Sequence, residues 1–130
     1  MQVPAPWSAQ DFAELLETKG VFLVPVTSDG TAAGFSLGRV VADEAELLTI
    51  AISQTFQRQG LGRACLANFE DAAKDKGAMT LHLEVAETNL AARALYARHG
   101  WQQSGLRPAY YRANGTRIDA ILMQKQIAPN

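Results

Sequence analysis

The order of apolar patterns along the 130 residues predicts an α/β (α+β) fold: a central mixed, mostly antiparallel sheet with one parallel strand pair, flanked by helices. Three observations carry this expectation. Apolar, β-branched runs at 21–26, 33–42 and 46–52 are separated only by short turn clusters, as in an antiparallel meander. A helical pattern from 60 to about 76 then lies between the third run and an alternating run at 79–85, long enough for a right-handed crossover between parallel strands. Last, a second helical pattern at 89–99 leads into a short strand at 101–105 and a final strand at 117–125.

Each element has a local cause. Ser8 is placed to cap a short helix in which Phe12, Leu15 and Leu16 share a face and Asp11 sits in the favourable first turn; Gly20 stops it. Ser28-Asp29-Gly30 turns the first hairpin and Asp43-Glu44 the next bend, while 53–59 is polar and irregular. In the longer helix Leu61, Cys65, Phe69, Ala72 and Ala73 follow helical spacing, and Gly77 supplies its stop. In the following strand Leu81, Leu83 and Val85 fall on one face, with Thr80, His82 and Glu84 on the other. Residues 106–116, rich in Pro, Tyr and Gly, read as a loop.

A content of 48% hydrophobic and 19% charged residues fits one globular domain spanning residues 1–130. A net charge of -1 argues against a nucleic-acid binder, which carries a basic surplus. Cys65, the only cysteine, excludes an intrachain disulfide and a cysteine metal cluster. No apolar stretch approaches the roughly 18 residues of a membrane span. Residues 1–10 lack the charged and apolar regions of a signal peptide. The expectation is a cytoplasmic protein without metal, membrane or nucleic acid.

The segment Gln57-Arg58-Gln59-Gly60-Leu61-Gly62-Arg63 precedes the longer helix. A helix start offers unpaired N–H groups and partial positive charge, the two glycines admit a bulky diphosphate, and Arg58 and Arg63 supply counter-charge. The same segment reads equally as a turn with solvated arginines. It is neither the Gly-x-Gly-x-x-Gly pattern nor the Gly-Lys-Ser/Thr pattern.

Gln57-x-x-Gly60-x-Gly62 after an apolar strand resembles the acetyl-CoA signature of the GNAT acetyltransferase superfamily. About 30 residues on, Asn89-x-x-Ala92-x-x-Leu95-Tyr96-x-x-x-Gly100-Trp101 is similar to a second signature of that superfamily. Residues 34 to 127, with Asp43-Glu44-Ala45, Leu83-Glu84-Val85 and Tyr110-Tyr111, resemble the ribosomal-protein-alanine N-acetyltransferases in particular.

The resemblance implies that the parallel strands splay apart around acetyl-CoA. Ile50, Ala51 and Ile52 would hold the pantetheine arm by their backbone and polarise the thioester carbonyl, and residues 57–63 would hold the diphosphate. Glu84 would be the water-mediated general base for the acceptor amine and Tyr96 the general acid for the thiolate. Asn89 is both a good helix cap and, by resemblance, a cofactor contact. Tyr110 and Tyr111, with Trp7 in the opposite wall, would bind the acceptor, expected to be a protein or peptide N-terminus. A small-molecule amine, a lysine side chain, or a non-catalytic acyl-CoA-binding module are the alternatives. His82 shares the face of Glu84, His99 suits the end of its helix, and Cys65 lies on the apolar stripe.

The family places a further strand and helix before the segment matching Pro6-Trp7-Ser8, where this chain has five residues. Either the start lies within a longer chain, or the sheet lacks its first strand; the expectation in the second case is association with a partner, most simply in a homodimer.

Overall fold

The computed structural model describes residues 9–56 and 60–127. Their order is α1 (Ala9–Glu17), β1 (Val21–Ser28), β2 (Thr31–Val41), β3 (Glu44–Ile52), a 3₁₀ turn (Gln54–Phe56), α2 (Leu61–Asp75), β4 (Thr80–Ala86), α3 (Leu90–Arg98), β5 (Gln102–Ala113) and β6 (Thr116–Gln126). The six strands form one sheet in the order β1-β2-β3-β4-β6-β5. All neighbours are antiparallel except β3 and β4. The expected mixed sheet with a single parallel pair is present. The expected cap Ser8 and the wall residue Trp7 lie outside the described residues.

Alternation decides which side of the sheet is core. Leu81, Leu83 and Val85 are all within 2% of full burial, and register sets them beside Lys125, Met123 and Ile121 of β6. This face packs on the Cys65, Leu66, Phe69 and Ala73 stripe of α2 and on Tyr96 of α3. Phe69 stacks parallel to Phe22 of β1, ring centroids 5.9 Å apart. Gly38 of β2 makes room for both rings, since a Cβ there would lie 2.6 Å from Phe69 and 2.7 Å from Phe22. Trp101 and Lys125 tie the far end by donating to the Glu70 carboxylate of α2, at 3.1 and 2.6 Å.

The parallel pair is short. It runs from Glu44–Thr80 to Leu47–Leu83, and β3 then continues to Ile52 with no further ladder to β4. On the other edge of β3 an irregularity falls at the same place. Register with β2 steps from Gly38–Leu47 to Leu37–Thr49, leaving Leu48 as an extra residue. A bulge of this kind bends its strand and increases the local twist, and here it falls where the parallel pairing ends. Beyond it Ile50 is buried in the same core as Leu47, so the strand keeps its apolar face while leaving its neighbour.

Residues 106–116 are not a loop. β5 is one strand through Arg107, Pro108 and Tyr111, and the turn is confined to Asn114-Gly115, both at positive φ. β5 is the edge of the sheet, where a proline costs no ladder bond, so the turn-forming composition misleads. It is interrupted between Arg107–Ala120 and Tyr111–Ile118: three residues of β5 face the single residue Asp119 of β6.

Candidate active site

The β3–β4 pair is the organising feature, and a cavity lies on each face of the sheet, one beside the split and one over the paired segment. On the helix side a cavity of about 160 Å³ is lined by Ile50 and Ile52 of β3, Gly62 of α2, and Asn89, Ala92 and Tyr96 at α3. Its walls are mainly apolar, as the arm of a thioester requires. Tyr96 is 1% exposed, and burial pushes its hydroxyl far above the ordinary tyrosine range, so it holds its proton at neutral pH. Asn89 caps α3 through its side chain, which accepts from the Ala92 N–H at 3.2 Å, while its edge still lines the cavity. Ala51 is half-buried and pairs with Phe35 of β2.

The start of α2 adjoins this cavity. Gly60 takes the N-cap position in a left-handed conformation, φ 75°, and no side chain caps the helix. Among the described residues, a Cβ at Gly60 would meet nothing within 4 Å. Open N–H groups at a helix start, reached past glycine, suit an anionic group. Leu61 is half-buried and Arg63 exposed; Gln57, Arg58 and Gln59 lie outside the described residues. Among the described residues no group of three or more His, Cys, Asp or Glu is placed to hold a metal.

On the opposite face of the sheet a wider cavity of about 380 Å³ is lined by Arg39, Glu46, His82, Glu84, Ser104 and Arg107, among others. Glu84 projects here, away from the core as its strand alternation predicts, with a side chain 22% exposed. Arg107 crosses over β6 to meet its Oε1 at 3.3 Å. The Arg107 guanidinium also lies 5.3 Å from the Tyr110 ring, and Tyr110 meets Tyr111 edge-on at 5.1 Å. Burial, then the Glu84 charge, raises the Tyr111 hydroxyl above its ordinary value. Arg107 thus touches both Glu84 and Tyr110. His82 is turned to Glu44, 2.7 Å away. Glu46 is raised by burial first and by Glu84 second, against the pull of Arg39, His82 and Arg107.

The structure thus brings Ile50, Ile52, Gly62, Asn89 and Tyr96 together on one side, and on the other Arg107 links Glu84 to Tyr110, against which Tyr111 packs. Arg107 and Glu46 were not singled out from sequence as neighbours of Glu84. Their pairing depends on which strands are adjacent, and no local spacing encodes that.

The model of the acetyltransferase (GNAT) family matches residues 2–101. The chain belongs to this family. It is an N-acetyltransferase, and acetyl-CoA is the acetyl donor the family uses. A [ribosomal protein bS18]-alanine N-acetyltransferase of Escherichia coli K12 is 40% identical over 123 residues, 95% of this chain and 82% of that protein. A Mycobacterium tuberculosis relative named N-alpha-acetyltransferase RimI is 36% identical, over 92% of this chain and 75% of its own. The crystal structure of the E. coli ribosomal-protein-S18-alanine N-acetyltransferase superposes with TM-score 0.88 at 39% identity, covering 97% of this chain and 81% of that one. The GNAT fold and the resemblance to the RimI-type enzymes are both borne out.

Proposed function

We propose that this GNAT enzyme transfers the acetyl group of acetyl-CoA to the α-amine at the N-terminus of a protein, of the ribosomal-protein-alanine type. The observation that carries the reading is a pair of cavities on opposite faces of the sheet: Tyr96 lines one and Glu84 the other. A donor and an acceptor can enter from opposite sides and meet between β3 and β4. The 40% identity to the E. coli bS18-alanine enzyme supports the acceptor class.

Acetyl-CoA supplies an activated acetyl group. The start of α2 at Gly60, Leu61, Gly62 and Arg63, with Gln57 to Gln59 before it, holds the diphosphate. The β3 segment Ile50 to Ile52 lies along the pantetheine arm, one of its N–H groups polarising the carbonyl, and Asn89 adds a contact. Glu84, through a water, takes the proton that the attacking amine sheds. Tyr96 gives its proton to the departing sulfur. Tyr110, Tyr111 and Trp7 hold the acceptor chain. Deprotonating an α-amine of pKa about 8 rather than a lysine of about 10.4 spares roughly 3 kcal/mol, so a carboxylate acting through water suffices.

The test is thiol release from acetyl-CoA with a panel of amines: a peptide with the N-terminus of bS18, unrelated N-terminal peptides, internal-lysine peptides and small amines. Turnover should be fastest on the alanine-first peptide. Preference for lysine or a small amine would replace the acceptor assigned here, and thermal stabilisation by CoA without turnover on any amine would mark a binding module.

A further inference from the structure

Asp119 belongs to none of the roles above, and its surroundings give it one. In the interruption of the β5–β6 ladder, Pro108, Ala109 and Tyr110 have no residue of β6 opposite them except Asp119. Ala109 is held at φ 53°, a left-handed conformation that is unfavourable for a residue bearing a Cβ. Its N–H is not lost to the ladder, because it donates to Asp119 Oδ1 at 2.7 Å. The side chain of Asp119 thus stands in for a missing strand residue. The backbone of Asp119 is itself anchored: its carbonyl accepts from the Glu87 N–H at 2.9 Å, and its own N–H points to Glu87 Oε1 at 3.5 Å. The Glu87 carbonyl in turn accepts from Arg93 of α3 at 2.8 Å.

We infer that Asp119 is a positioning residue for the acceptor: it fixes the kinked segment 107–111 to the β4–α3 turn and so sets the tyrosine wall against Glu84. Arg107 and Tyr111 are the last paired residues on either side of the kink, and Tyr110 lies within it. The orientation of the whole wall therefore follows from how the kink is pinned. The anchor at Glu87 lies three residues beyond Glu84 on the same stretch of chain, so wall and base share one frame. This rests on the reading that Tyr110 and Tyr111 contact the acceptor.

Asp119→Ala removes the acceptor atom, whereas Asp119→Asn keeps an oxygen in the same place and removes only the charge. With the preferred N-terminal peptide, Asp119→Ala should raise the KM for peptide about tenfold, leaving the KM for acetyl-CoA near the wild-type value. Asp119→Asn should restore most of the loss. An unchanged peptide KM in Asp119→Ala overturns the inference, and so does an equal rise in both KM values, which would mean general damage. Amide exchange on the wild-type protein gives a reading independent of any variant: the Ala109 N–H should exchange at least tenfold more slowly than an unprotected amide, and exchange at the unprotected rate overturns the tie. Absence of turnover on every peptide by the wild-type enzyme would refute the acceptor reading itself. A protected Ala109 amide would then leave the pin without a peptide to position.

Discussion

Tyr96 combines near-complete burial with a place on the cavity wall, and its hydroxyl keeps its proton across the working pH range. Tyr96→Phe deletes one oxygen and keeps the ring against Trp101. Its kcat should fall about a hundredfold or more with acetyl-CoA affinity retained; unchanged kcat in single-turnover measurements would remove Tyr96 from the chemistry. Glu46 gives a different test. Its carboxyl is raised in the folded protein, so the folded state binds that proton more tightly than the unfolded chain does. The resulting stability is present below the unfolded pKa and is lost as pH rises through the folded value. Glu46→Gln cannot titrate, so its stability relative to wild type should increase from pH 4 to pH 7 in urea unfolding. A difference that stays flat with pH would contradict the assignment. At this scale the sequence was informative where alternation alone decides: Glu84 faces away from Leu83 and Val85 because strands alternate. That Arg107 reaches Glu84 could not be read, since it requires knowing that β6 lies between β4 and β5.

Between elements, one close constraint is the approach of α2 to β1 and β2. Gly38→Ala would drive a Cβ into the edges of Phe69 and Phe22, both held in a stacked pair. Destabilisation of about 1–3 kcal/mol is expected from such overpacking, read as a lower urea midpoint with unchanged slope. A neutral Gly38→Ala would mean that the rings can shift. The helix α2 and the strand β4 were legible from their strong period, with Gly77 following α2 at φ 94°, whereas α3, weakly periodic, was legible from its boundaries, the Asn89 cap and Gly100. The strand β5 was hidden by Pro108 and its neighbours, whose turn-like composition an edge strand tolerates. The bulge at Leu48 left no mark either, because Leu is as apolar as the residues around it.

For the molecule as a whole, the donor should act as a structural member. The helix start at Gly60, the β3 edge and the α3 wall come from separate parts of the chain, and a ligand touching all three binds only the folded state. Acetyl-CoA at about a hundredfold over its Kd should add roughly 2.7 kcal/mol to folding, visible as a rise in Tm of several degrees; no shift under saturating donor would deny that these parts form one binding surface. The extra residue in β3 has a wider consequence. Between their pairings at Leu47 and Thr49, β3 takes two steps where β2 takes one, yet the inward positions Leu47 and Ile50 remain in phase with the core. A chain lacking Leu48 would have the same hydrophobic arithmetic and a sheet free to zip shut. Under the proposed donor site, the room between β3 and β4 is a surplus of length, one residue long.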